Sequence, residues 1–120
     1  MNKAILIGHL GYDPTTRFTA SGDAVCRMRL ATNRYYKDKS GERQERTEWH
    51  TVIMFKGLAE TAQKILKRGM QIAVEGEIRY REYTKNLEKH EVAEVVADDF
   101  QILDKKPKPE RTPTDDTEAA

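Results

Sequence analysis

The stretch Thr47–Tyr83, TEWHTVIMFKGLAETAQKILKRGMQIAVEGEIRYREY, changes its hydrophobic period twice, and those changes decide the fold. Thr47–Phe55 (TEWHTVIMF) is rich in β-branched and aromatic residues and predicts a strand. Over Gly57–Arg68 the period lengthens. Leu58, Ala62, Ile65 and Leu66 fall on one helical stripe, with Glu60, Gln63, Lys64 and Lys67 elsewhere. Lys67 and Arg68 suit the negative end of such a helix, and Gly69 is a natural residue just past it. Over Met70–Tyr83 strict alternation returns. Met70, Ile72, Val74, Ile78 and Tyr80 share one face; Glu75, Glu77, Arg79, Arg81 and Tyr83 share the other. One helix therefore interrupts a series of strands.

Toward the N-terminus, Lys3–Leu10 (KAILIGHL) is apolar at nearly every position, which predicts a strand covered on both faces. In so small a domain the second cover is expected to be another subunit, with Lys3, Ile5 and Ile7 in the contact. Gly11–Pro14 and Ala20–Asp23 are turn chemistry. Ala24–Asn33 alternates: Cys26, Met28 and Leu30 point one way, Val25, Arg27, Arg29 and Asn33 the other. That is a half-buried strand with a basic outer face. Lys37–Arg46, polar and containing Ser-Gly, reads as a loop or hairpin tip. On the C-terminal side, Thr84–Lys89 reads as a loop and Glu91–Leu103 as the last strand, kinked near Asp98-Asp99. From Asp104 the chain has three prolines and no aromatic or large aliphatic residue, so residues 104–120 are expected to form a flexible, disordered tail.

The expected domain, residues 1–103, is thus all-β with one helix. Its order is strand, strand, strand, helix, strand, strand. That order suits a five-stranded Greek-key β-barrel of the OB type, with the helix between strands three and four plugging one end. Other small α+β arrangements share the order.

The 120 residues are 38% apolar and 34% charged. No apolar run approaches the roughly 18 residues of a membrane helix. The N-terminal run lacks a small-residue cleavage site and is read as a strand, not a signal peptide. Cys26 is the only cysteine, so no internal disulfide and no Cys-pair zinc site can form, and a cytoplasmic home is expected. Net charge is only +1, but residues 1–87 hold 16 Lys/Arg against 10 Asp/Glu. That excess hints at a polyanionic partner. His9, His50 and His90 show no ligand spacing, and no nucleophile elbow, Walker loop or HExxH occurs. No metal, cofactor or catalytic residue is expected.

The site candidates are rings on polar faces. Tyr83 has the parity of Arg79 and Arg81. Trp49 and Phe55 share parity with Thr51 and Ile53, and Tyr36 lies just past the basic strand. Rings beside basic groups suit stacked bases and nearby phosphates. The competing reading is that each ring packs on a neighbour. Arg27, Arg29, Arg34, Lys37, Arg43, Arg46, Arg79 and Arg81 form the basic set. Glu45, Glu48 and Glu77 are positioned to pair with some of them, and phosphate contact is favoured most for Arg27, Arg29, Arg34 and Lys37. His50 points away from the side of Trp49, toward an interface. Tyr35 is expected simply to pack.

Over about Met1–Leu103 the chain resembles the bacterial single-stranded-DNA-binding protein family. The matching blocks are MNKAILIGHLG, TASGDAV, RLATNRYYKDKSGE, TEWHTVIMF, LAE in the helix, VEGEIR and EVVAD. The resemblance implies an OB barrel assembled as a homotetramer. It implies sequence-tolerant binding and protection of single-stranded DNA in replication, recombination and repair. It places base stacking at Tyr36, Trp49, Phe55 and Tyr83, with Tyr36 and Tyr83 standing where relatives often have tryptophan. It also places His50 near subunit contacts. Three departures stand out. TKNLEK replaces a Gly-containing turn and is one residue shorter. Val92 stands where an aromatic is usual. The tail ends TPTDDTEAA, acidic at Asp115-Asp116 but without the family's Pro-Phe anchor, which argues against enzyme recruitment through the tip. An accessory or paralogous OB protein acting through protein–protein contacts, and a preference for RNA, remain open at this level.

Overall fold

A computed structural model of the chain describes residues 1–104. Six strands and one helix follow the order β1 (Ala4–Leu10), β2 (Thr15–Phe18), β3 (Ala24–Lys37), β4 (Arg43–Phe55), α1 (Lys56–Ile65), β5 (Gln71–Lys85) and β6 (Glu88–Ile102). The sheet runs β1-β5-β6-β4-β3-β2 and closes through a further pairing of β1 with β3. Five strands thus form a closed barrel. The short β2 is an addition, paired to β3 from Thr15↔Arg27 to Phe18↔Ala24. It was not foreseen, because four residues between two turns are too few to show a period.

The barrel is filled by alternation. Cys26, Met28 and Leu30 of β3, Val52 and Met54 of β4, and Ile72 and Val74 of β5 are buried together. The β6 kink near Asp98 is a register shift. Glu75 pairs with Asp99 and Gly76 with Ala97, which leaves Asp98 as the extra residue. The shift reverses the side-chain parity of β6, so both Phe100 and Ala97 turn toward the core. The barrel wall is tight here: a Cβ on Gly76 would lie 2.1 Å from the Val96 carbonyl oxygen.

The helix is shorter than its apolar spacing predicts. It ends at Ile65, with Leu66 as its C-cap. Its buried face is Ala59 and Ala62, with Leu66 just beyond, and Ile65 is exposed. The two alanines let the helix approach closely at the barrel end. Gly69 lies beyond the C-cap and ties the chain back to β1, its N–H donating to the Leu10 carbonyl (2.8 Å). Asp13 holds the same corner by accepting from the Arg68 N–H (2.7 Å).

Strand extends well into both polar segments, Lys37–Arg46 and Thr84–Lys89. The β3–β4 ladder runs without a break from Val25↔Phe55 to Lys37↔Arg43, so the tip is only Asp38–Glu42. The β5–β6 ladder reaches Lys85↔Glu88, so that turn is only Asn86-Leu87. Polar residues at a sheet margin read as loop because they bury nothing, yet cross-strand hydrogen bonds still hold them extended. Asp104, expected as the first tail residue, accepts from the Gln71 N–H (2.8 Å). The rest of the expected tail, with Asp115 and Asp116, lies outside the described residues.

Candidate nucleic-acid interface

Antiparallel pairing places facing residues on the same side of a sheet. Phe55 is opposite Val25, Ile53 opposite Arg27, Thr51 opposite Arg29 and Trp49 opposite Ala31. All point outward, because Met28, Leu30, Val52 and Met54 fill the interior. Trp49 and Phe55 therefore stand with Arg27 and Arg29 on one outer face.

Two grooves cross that face. The larger, an open groove of about 550 Å³, is lined by Tyr12, Arg17, Arg27, Ile53, Phe55, Arg81 and Glu94, with Thr15 and Val25. The second is lined by Gly11, Tyr12, Arg29 and Trp49. Tyr12 borders both and joins the Phe55 end to the Trp49 end. The Arg29 guanidinium lies 5.9 Å from the Trp49 ring centroid, within cation–π range. Gly11 makes room for the indole: a Cβ there would sit 2.4 Å from Trp49 Cζ3.

The four candidate rings are 42–50% exposed: Tyr83 and Trp49 mark the limits, with Tyr36 and Phe55 between. They do not share one face. From Trp49 outward the ladder keeps Ala31, Asn33, Tyr35 and Lys37 on the side of Trp49, and Thr32, Arg34 and Tyr36 on the side of His50. Tyr83 is on the second arm, opposite His90, and the two rings stack with centroids 5.3 Å apart. Val92 stands opposite Arg81 on the same arm.

The basic set divides by partner. Arg46 pairs with Glu48 (3.2 Å), Arg79 with Glu77 (2.6 Å) and Arg81 with Glu94 (2.9 Å). Arg81 donates through both Nε and Nη2 to the Glu94 carboxylate. That hydrogen bond, and then the charge of Glu94, raises the Arg81 pKa further. Arg27, Arg29, Arg34, Lys37 and Arg43 have no carboxylate partner among the described residues. The four favoured for phosphate contact are in this group. The buried Arg29 Nε has no hydrogen-bond partner among the described residues. Arg43 lies over the Tyr35 ring, 4.8 Å from its centroid.

The residues expected at an oligomer contact do not form one patch. Lys3, Ile5 and Ile7 lie along β1, where Ile5 and Ile7 are 66% and 54% exposed and Lys3 is ion-paired with Glu75. His50 is on β4, with its Nε2 2.9 Å from Thr32 Oγ1, and lines a groove with Trp49, Ile78 and Ala93.

The sequence reading missed Tyr12, Arg17 and Glu94. Tyr12 sits in a turn and Arg17 in the unforeseen β2, so neither had a period to assign it to a face. Glu94 was hidden in the last strand. It is a buried carboxylate, tolerable because Arg81 covers it.

A closed five-stranded barrel, with a helix after its third strand and rings and arginines on one outer face, belongs to the OB class of oligomer-binding barrels. The sequence model of the single-strand binding protein family matches residues 1–103, and the chain belongs to that family. The chain is 47% identical over 105 residues to the single-stranded DNA-binding protein of Xanthomonas campestris pv. campestris, covering 86% of this chain and 60% of that protein. It is 44% identical over 105 residues to single-stranded DNA-binding protein 1 of Chlorobaculum tepidum, covering 86% and 65%. The chain therefore spans less than two thirds of the length of these relatives. Among solved structures, it resembles a Plasmodium falciparum SSB in complex with ssDNA at TM-score 0.81 and 28% identity, covering 87% of this chain and 96% of that one. A deletion mutant of the Thermus aquaticus single-stranded DNA binding protein matches at TM-score 0.77 and 33% identity, covering 87% and 51%.

Proposed function

We propose that this protein binds single-stranded DNA without strong sequence preference and protects it during replication, recombination and repair, without catalysis. The observation that carries this reading is the outer face on which Phe55 and Trp49 flank Arg27 and Arg29, with Tyr12 bordering both grooves. Rings stack on any base, and unpaired guanidinium groups attract any phosphate, so such a face is sequence-tolerant by construction. Arg34 and Lys37 extend the positive charge along the β3–β4 arm. Tyr36 and Tyr83 are proposed as further stacking rings, with Arg79 and Arg81 supporting the second arm from within their ion pairs. The names of the relatives and the DNA-bound neighbour point the same way.

Titration with oligo(dT) is expected to quench Trp49 fluorescence. Affinity is expected to fall by about 0.7 log units per log unit of salt for each phosphate neutralised. No quench and no binding at low salt would refute the proposal. Competition between matched DNA and RNA oligomers tests the preference for DNA.

We further propose a homo-oligomer, a tetramer by family resemblance. Its contact includes the exposed Ile5 and Ile7 of β1 with Lys3, and a second contact near His50. A monomer mass in light scattering at micromolar concentration would contradict this. The proposed setting is the cytoplasm, beside the nucleoid.

A further inference from the structure

The unbroken β3–β4 ladder assigns the two adjacent tyrosines to opposite sides of one arm. Tyr36 shares its side with Arg34, Arg46 and His50. Tyr35 shares its side with Trp49, Lys37 and Arg43. We infer that a DNA strand leaving Trp49 along the outer face of the arm stacks next on Tyr35, while Tyr36, on the opposite side, serves a different segment of the strand. This rests on the proposed binding of single-stranded DNA and extends its path.

Three observations support it. Tyr35 lies four residues beyond Ala31, the ladder partner of Trp49, or about 13 Å at roughly 3.3 Å per residue. No single base spans that distance, so the two rings would serve different nucleotides of one strand. The Tyr35 ring is also held in place. Its hydroxyl donates to Glu45 Oε2 (3.2 Å), and the Arg43 guanidinium lies 4.8 Å from its centroid. A ring fixed before the base arrives loses little freedom on binding. Yet it remains 54% exposed, more than Trp49 or Phe55. Finally, Lys37 and Arg43 face each other one row further out, neither with a carboxylate partner among the described residues. They place positive charge where the next phosphates would run.

A purely structural tyrosine, bracing the arm through Glu45 and Arg43, would account for the same contacts, and length dependence separates the two roles. Affinity for dT oligomers of about 4 and about 16 nucleotides, the range of site sizes for one such barrel, is read from Trp49 quenching at fixed salt. Tyr35→Ala is expected to weaken the longer oligomer about five-fold or more and to spare the shorter one. Tyr35→Phe, which keeps the ring and loses the Glu45 hydrogen bond, is expected to bind both within about two-fold of the unmodified protein. Equal loss at both lengths, or no loss at either, would overturn the inference. A second measurement needs no variant. Photo-crosslinking of a 5-iodouracil-substituted long oligomer to the unmodified full chain is expected to label Tyr35, and labelling of Trp49 and Tyr36 with none at Tyr35 would overturn it. If the unmodified protein shows no quench with either oligomer, the binding proposal itself fails.

Discussion

The two hairpin arms that leave the barrel are built differently. The β3–β4 arm closes over a five-residue tip organised by one side chain. Asp38 Oδ1 accepts from the Ser40 N–H, the Ser40 hydroxyl and the Glu42 N–H, and Oδ2 accepts from Gln44 Nε2. Gly41 supplies the positive φ (85°) that this tip requires. The β5–β6 arm closes in two residues, Asn86 (φ 54°) and Leu87 (φ 65°). Such turns favour Asn-Gly, because both central residues adopt left-handed backbone. Here the second position is a leucine whose side chain meets nothing (99% exposed). One arm is held from its tip; the other is held from its base, where Gly76 lets β5 and β6 close together at the register shift.

The largest expected effect breaks that base. Gly76→Ala drives a methyl into the Val96 carbonyl, where both sides are backbone and neither yields easily. It is expected to destabilise the domain by about 3 kcal/mol, read by denaturant unfolding. An unchanged midpoint would show that the second arm does not depend on its seat.

Next come the rings. Trp49→Ala is expected to weaken oligo(dT) binding by about 1–3 kcal/mol, read by filter binding or anisotropy because the fluorophore is gone. Tyr83→Ala is expected to cost less, because Tyr83 is already stacked on His90 and must share or leave that partner when a base arrives. Equal losses would mean that the arms contribute equally despite their construction.

A smaller effect sharpens the contrast at the tips. Leu87→Gly is expected to stabilise the protein by about 0.5–1 kcal/mol, because left-handed backbone costs leucine more than the entropy lost with glycine. Thermal unfolding measures it.

The smallest is a pH effect confined to the first arm. The hydrogen bond from Ser40, then the one from Glu42, holds the Asp38 carboxyl below its usual range, against the opposition of desolvation. A depressed pKa contributes order above the ordinary carboxylate value, and that order is lost as pH falls through the folded pKa. Amide exchange at Ser40 and Glu42 is therefore expected to speed up, after correction for intrinsic rates, on acidification below the carboxylate range. The Asn86-Leu87 turn, which has no such carboxylate hub, is not expected to change over the same interval.

Much of the barrel was legible in the chain, and the reasons are specific. Burying one face of β3 requires Cys26, Met28 and Leu30 to alternate with Arg27 and Arg29, and that alternation is visible in linear order. The helix showed its period at Leu58, Ala62 and Leu66. It did not show its end, because Ile65 is apolar and yet exposed. The arms read as loops because their polar residues bury nothing, although the ladder holds them extended. Tyr12 and Arg17 were invisible as site residues because no period reaches a turn or a four-residue strand.

Local chemistry determined the helix, the core-facing strands, the basic outer face of β3 and the shared outward parity of Trp49 and Phe55, since each follows from a repeat within one element. Barrel closure decided which residues from separate strands line one groove, joining Tyr12 and Arg17 to Phe55 and setting Glu94 beside Arg81. It also decided which arginines found a carboxylate partner and which did not. The side of the arm taken by each of Tyr35 and Tyr36 needed both levels. Alternation separates the two, but only an unbroken cross-strand register relates either one to Trp49, because a single bulge in that ladder would have exchanged them.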